Sequence, residues 1–405
     1  MKIRSITYFI DSQIPLITEQ IQYISDFNTE ARHSFEASGY EVQTVRLATT
    51  PFSKITQPDD INQLIDYSQR MEAETKKAGF DYVSLGPAYP DHPEIYLMIP
   101  EVLSKTEIVF LSGHLTDENG GISIPAARAC AHVIQKASTI DPDGFTNLRF
   151  AALANVPAGT PFFPAAYHFS ETPSFALAME AADLAVDIFT GSDSLENARQ
   201  SLRNIIEQHA LRLTEISNKL SAEFRVNFGG IDFSLAPFPL DAISFGTAME
   251  RMGVPATGQH GSLAAAAILA ATLDSASFTR AGFNGLMMPV LEDSTLSARV
   301  ADGNLSIVDL LLYSAVCGTG LDTLPLPGDT SADEIMPLLL DIAALAQRLD
   351  KPLTARLMPI PGKKAGDPTE FDFSFFANSR IPHLNASPLR GFLSGEETFS
   401  LVRRV

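Results

Sequence analysis

IRSITYFI (residues 3–10), PLITEQIQYISDFNTEARHSFEAS (15–38) and YEVQTVRL (40–47) follow one another, and their reading decides the fold. The first and third are short, β-branched or aromatic, and largely apolar, the pattern of strands covered on both faces. The middle segment carries apolar residues at helical spacing. It stops before Gly39, where a residue free to take positive φ suits a helix C-cap. A strand, a helix and a strand in that order make a βαβ unit with parallel strands.

The alternation continues along the chain. FDYVSLGP (80–87), TEIVFLSG (106–113), LRFAALANV (148–156), FRVNFGGIDFSL (224–235), GLMMPVL (285–291) and LTARLMPI (353–360) read as further strands, eight in all. Helical patterns occupy 59–79, 173–190, 194–223, 262–276, 306–316 and 332–350. No repeat of 20–50 residues and no linker composition divides the chain. The expectation is one α/β domain over 1–405, built on a parallel-rich sheet with outer helices.

Composition narrows the function. The 405 residues hold 29 Lys plus Arg against 48 Asp plus Glu, a formal charge of −19. Such a chain is expected to bind neither nucleic acid nor an anionic membrane surface, since both need clustered cations. A local basic pocket for a small anion remains compatible with it. The only cysteines, Cys130 and Cys317, suit neither a disulfide framework nor a cysteine zinc site. MKIRSITYFIDSQIPL is interrupted by Asp11 and does not read as a secretory signal, and SLAAAAILAATL (262–273) is too short to span a bilayer. A cytoplasmic homo-oligomer with a small-molecule metabolite as its partner is expected.

Parallel α/β sheets hold ligands at the carboxyl ends of their strands, so the loops there supply the candidates. VPAGTPFFPAAYHF (156–169), with Asn155 before it, offers Asn155, Gly159 and Thr160 to line a ligand and Tyr167 and His168 to move protons. The bland alternative is a proline-stiffened loop. NFGGIDFSLAPFP (227–239) places Asp232 and Ser234 in an apolar run, where a carboxylate needs a partner or a cation, or caps a turn. His260 in ATGQHGSLAAAA (256–267) precedes an Ala-rich helix and reads as a base or as an exposed turn residue. Glu292 ends an apolar run, and His114 ends another; with Asp232 they form an expected set for a divalent cation. SAVCGTGLDTLPLPGD (314–329) sets Cys317 beside Gly318, Thr319 and Gly320, with Asp322 following. A thiol there is a nucleophile if backbone donors face it, or a buried packing residue. Lys363 and Lys364 make a basic island for an anion, or a solvated loop.

RFAALANVPAGTPFFPAAYH, DFSLAPFP, SAVCGTGLDTLPLPGD and GKKAGDPTEFDFSFFANSRI, with MKIRSITYF and YEVQTVRLATTPF, together resemble the domain of unknown function 711 family, also called uncharacterised protein family 0210. The resemblance implies a large parallel-rich α/β barrel of about ten strands in two parallel halves with helices outside, like that of pyruvate formate-lyase-like glycyl radical enzymes. It also implies a position for Cys317 like that of the loop cysteine inside those barrels. The C-terminal stretch SPLRGFLSGEETFSLVRRV, with Gly391 and Gly395, departs from the glycine motif of those enzymes, so glycyl radical chemistry is not expected.

Three functions follow as expectations. The first is an enzyme acting on a small polar or anionic metabolite, with Cys317 as thiol catalyst, His260 or His168 as proton partner, and Asp232 and Asp322 orienting groups. The second is a divalent-metal hydrolase or lyase on Asp232, Glu292, His114 and His260. The third is a non-catalytic metabolite-binding regulator.

Overall fold

The computed structural model describes residues 1–11, 18–55 and 60–403. Its first part runs β1 (Lys2–Ile10), α1 (Thr18–Ala37), β2 (Val42–Thr49), α2 (Ile61–Lys77), β3 (Tyr82–Ala88), α3 (Pro93–Tyr96), α4 (Ile99–Ser104), β4 (Val109–His114), β5 (Ile122–Ser123), α5 (Ile124–Ala137) and β6 (Phe150–Ala154). There follow β7 (Ser174–Glu180), α6 (Ala182–Gly191), α7 (Leu195–Phe224), β8 (Asn227–Asp232), α8 (Phe245–Arg251), α9 (Ser262–Asp274), α10 (Ser294–Ala301) and α11 (Ile307–Tyr313). Last come β9 (Gly320–Pro327), α12 (Ala332–Leu349), β10 (Leu353–Ile360) and β11 (Thr398–Phe399). Residues 15–17 of the first expected helix and residue 59 of the second lie outside the described residues.

Nine strands form one sheet in the order β8-β7-β1-β2-β3-β4-β6-β10-β9, and β11 pairs with β5. β1, β2, β3, β4 and β6 are mutually parallel. The pairs β7–β8 and β10–β9 are parallel within themselves. Only the seams β1–β7 and β6–β10 are antiparallel. The sheet therefore consists of a central parallel block of five strands flanked at each edge by a parallel pair running the opposite way.

Both faces of the strands are covered, which is why they read as apolar runs rather than as alternating ones. On β1, Ile6, Tyr8 and Ile10 join the core shared with the helices. Phe9, on the opposite face with Ala48, Phe110 and Ala176, packs instead on Phe163 and Ala166. The loop after β6 thus fills the inner face. Ser5 Oγ and Thr7 Oγ1 donate to the Pro161 carbonyl at 3.4 and 3.3 Å, and Ser84 Oγ donates to that of Ala166 at 2.6 Å. These hydroxyls, buried on three strand positions, satisfy loop carbonyls that would otherwise be orphaned.

Three expectations are corrected. Residues 174–180 form strand β7, not the start of a helix; SFALAME is too short an apolar run to show a period, and pairing with β1 and β8 decides it. Residues 320–327 form strand β9 inside the stretch read as a glycine turn. Pro325 and Pro327 are tolerated because β9 is hydrogen-bonded to β10 alone in the sheet order. Residues 285–291 make isolated bridges instead of a regular strand, Leu286 with Leu235 and Pro289 with Asp322. The sheet has nine strands, where the alternation suggested eight and the resemblance about ten. Among the described residues no helix is long and apolar enough to cross a membrane.

Candidate functional site

Three strands of the sheet each carry an arginine: Arg4 in β1, Arg46 in β2 and Arg356 in β10. They converge where β7 ends and where β1, β3 and β4 begin. Arg356 donates to Asp322 at 2.6 and 3.0 Å and to Glu292 Oε1 at 2.8 Å. Arg4 pairs with the other Glu292 oxygen and donates to the Pro237 carbonyl at 3.1 Å. Arg46 is different. Among the described residues it has no carboxylate partner. Its Nε donates to Thr44 Oγ1 at 2.9 Å, and its guanidinium lies 5.2 Å from the Phe163 ring centre and 5.9 Å from that of Tyr82.

The electrostatics follow from this arrangement. Burial, with help from the like charges of Arg4 and Arg356, pushes Arg46 down to about 10. Burial opposes the charge of Glu292 as well, but Arg4 and Arg356 outweigh it and hold the carboxyl below its ordinary value. For Asp322 burial prevails over Arg356 and the pKa is raised. The three arginines and Glu292 line a cavity of about 80 Å³, closed in by Phe110, Phe162, Phe163, Phe373 and Phe375.

At the opposite end of the same strands, residues following β3, β4 and β6 border a wider cavity of about 680 Å³ containing Tyr89, His114, Asn155 and Tyr167. His114 stacks on Tyr89 with ring centres 5.0 Å apart and meets Tyr167 edge-on at 5.9 Å. Its Nε2 is buried without a hydrogen-bond partner among the described residues, and burial lowers its pKa to about 4, so the imidazole is neutral. Tyr167 donates to the Val156 carbonyl at 2.9 Å, and burial raises it to about 12. Asn155 ties its loop to α12, donating to Ala346 O at 3.0 Å and accepting from Gln347 at 2.6 Å. Gly159 N donates to Tyr167 O at 2.9 Å, and Thr160 Oγ1 to Pro157 O at 2.8 Å. His168 is buried beside Phe9, its Nε2 also without a partner among the described residues, and burial lowers its pKa.

The other candidates lie apart from both cavities. Asp232, fully buried, accepts from Ser234 Oγ at 2.5 Å and from the amides of Ser234, Phe283 and Asn284 at 3.2, 2.9 and 3.1 Å. Ser234 Oγ accepts from Gly285 N at 3.2 Å. These two side chains organise the turn at 281–285. Cys317 is 1 % exposed, and its sulfur accepts from Gly320 N at 3.4 Å. Lys351 beside it donates to the carbonyls of Ser314, Ala315 and Cys317, capping the end of α11. The hollow holding both is lined by the later turns of α9, whereas His260 is exposed ahead of that helix's first turn.

The glycines beside the thiol have a backbone role. Gly318 N donates to Leu286 O at 2.9 Å, and a Cβ on Gly318 would sit 2.7 Å from the Gly285 Cα, so two chains cross there in contact. Gly320 takes φ +93°, and the Thr319 carbonyl accepts from Thr354 N at 2.7 Å. Lys363 pairs with Glu370 at 2.6 Å, and Lys364 is exposed. Asp232, Glu292 and His114 occupy three separate places, and among the described residues no group of three or more His, Cys, Asp or Glu side chains could hold a metal.

Sequence reasoning picked out Glu292 and Asp322 but missed Arg4, Arg46 and Arg356. The signal was present: a cation inside each of three predicted strands is as costly to bury as the aspartate that did draw notice.

A mixed α/β sheet whose covered inner face carries buried and half-buried arginines with buried carboxylates is the class of protein this is. The family described as Uncharacterised ACR (DUF711) matches residues 1–378, and the chain belongs to that family. A UPF0210 protein of Acetivibrio thermocellus is 30% identical over 354 residues, covering 82% of this chain and 77% of that one. One from Pyrobaculum aerophilum is 31% identical over 345 residues, covering 81% and 76%. One from Neisseria meningitidis serogroup B is 26% identical over 360 residues, covering 85% and 80%.

Proposed function

We propose that this protein binds a small anionic metabolite in the cavity walled by Arg4, Arg46 and Arg356. The observation that carries the reading is Arg46, a half-buried guanidinium with no carboxylate partner among the described residues. A buried cation is costly unless paired, and the fork of a guanidinium matches the two oxygens of a carboxylate or phosphate. Glu292, held ionised by two arginines, serves as an electrostatic partner that keeps Arg4 and Arg356 in place. The reading extends to the whole chain as one barrel domain. Residues 280–289 bridge to β8 through Ile231, to Leu235 just beyond it, and to β9 through Asp322, and this irregular segment supports closure between the two edge strands.

A second reading puts proton transfer at the wider cavity. The neutral imidazole of His114, its Nε2 without a partner among the described residues, favours it, because a buried ring nitrogen stands there between the rings of Tyr89 and Tyr167.

Thermal unfolding of the purified protein in a panel of small anions tests the first reading. A saturable rise in Tm that vanishes in Arg46→Met is expected. If no anion raises Tm, the reading is wrong.

A further inference from the structure

We propose that the C-terminal strap, residues 383–403, is a detachable gate on the wider cavity at His114. Such a gate stands apart from the proton-transfer reading, since it controls entry and not chemistry.

The strap is lightly attached. Ile381 and Pro382 are buried, but no residue from 383 to 403 is. Leu384, Ala386, Leu389, Phe399 and Leu401 lie half-buried against the core. The strand β11 is two residues long and pairs with β5. The ion pairs Arg128–Glu396 at 2.6 Å and Arg403–Asp350 at 2.8 Å sit at the surface, where water screens them. Arg128, on α5, is the main clasp, because it also donates to the carbonyls of Ser394 and Gly395 at 3.0 and 2.8 Å. A segment with few buried apolar contacts and exposed backbone bonds opens at a small part of the global free energy.

What the strap covers is the wall of the cavity. β4 ends at His114, and the chain turns through 117–121 and returns as β5. On one edge of β5, Thr116 bridges Ile122 and Ser123 N donates to Leu115 O at 2.9 Å. On the other edge lies β11, and Ile124 N donates to Glu397 O at 3.2 Å. The turn supplies Asp117, Glu118, Asn119 and Gly120 to the cavity, and the strap itself adds Arg403. Gly120 and Gly121 make the turn a hinge, Gly120 at φ +80°. A Cβ on Gly120 would lie 3.0 Å from Gln347 Oε1 of α12, and one on Gly121 2.7 Å from the Thr398 methyl. The turn is thus wedged between α12 inside and the strap outside. When the strap leaves, the outer support goes and the wall swings away from His114.

Hydrogen exchange read by mass spectrometry, together with carbethoxylation of His114 by diethyl pyrocarbonate, tests the gate on the full chain as wild type, Arg128→Ala and Glu396→Ala. In the wild type, peptides covering 115–124 and 394–403 are expected to exchange together, about tenfold or more faster than β4. Arg128→Ala should speed exchange in both segments and carbethoxylation of His114 by about tenfold, with the urea midpoint unchanged. Glu396→Ala, at an exposed position, carries the comparison if Arg128→Ala fails to fold. Strap amides as protected as those of β4 overturn the gate, and so does a wild-type His114 that reacts as fast as the exposed His260. Faster strap exchange with either 115–124 or His114 unchanged overturns it as well, because the strap then leaves without moving the wall. Unchanged rates in both variants do the same.

Discussion

Arg356 grips Asp322 through two parallel hydrogen bonds, Nε to Oδ1 at 2.6 Å and Nη2 to Oδ2 at 3.0 Å. The two residues sit on the adjacent strands β10 and β9, and both are buried. Such a fork is strong in geometry, but its worth is asymmetric. Removing one partner leaves an unpaired buried charge, while removing both is far milder.

Arg356→Met is therefore expected to cost about 3–5 kcal/mol, read by urea denaturation. Adding Asp322→Asn should restore part of that loss. A double variant no more stable than the single one would mean that Asp322 was not the group left unpaired.

Asp232 should prove to be a structural acceptor. Asn in its place presents one acceptor oxygen to donors that now share two, and turns an amide towards backbone N–H groups. Asp232→Asn is expected to cost about 1–3 kcal/mol and to leave anion affinity within a factor of about three, a span of under 1 kcal/mol. A variant of native stability would refute the role.

Cys317 is expected to resist alkylation until the protein unfolds, because the residue is 1 % exposed and its sulfur accepts from Gly320 N. Mass spectrometry of native protein treated with iodoacetamide, against a denatured control, decides this. Rapid modification of Cys317 in the native state would return the thiol to candidacy as a nucleophile.

His114 makes stability depend on pH. Burial holds it at about 4 in the folded chain, from an ordinary value of 6.5. Between those values the unfolded chain binds more protons, so stability is full above pH 6.5 and falls as the pH drops towards 4. The loss from this group approaches about 3 kcal/mol. The difference in unfolding free energy between wild type and His114→Gln should shrink across that window; a constant difference would count against a neutral buried imidazole.

Gly318→Ala should destabilise the crossing at Gly285, where its Cβ would come within 2.7 Å of a backbone carbon. A lower Tm is expected, and an unchanged one would show that the two backbones part freely.

Much was written locally in the chain. The limits of β10 at 353–360 match the apolar run read from the sequence, and α9, α11 and α12 fall within their expected segments. A period of two or 3.6 and a capping residue are properties of neighbours, so they survive without the fold. Glu292 and Asp322 were legible for a related reason, since carboxylates in or beside apolar runs stand out. Their roles were not, because an acid that holds a cation and one that pairs with arginine look alike in one dimension.

What the chain could not show alone is which strands become neighbours. β7 and β9 became strands through pairing with β1, β8 and β10, against an ambiguous period in one and two prolines in the other. Arg4, Arg46, Arg356, Glu292 and Asp322 come from five separate stretches. They meet because strand order and register bring their side chains to one end of the covered face. Register is a relation between distant segments, set by how the whole sheet buries its apolar area, and no local pattern contains it.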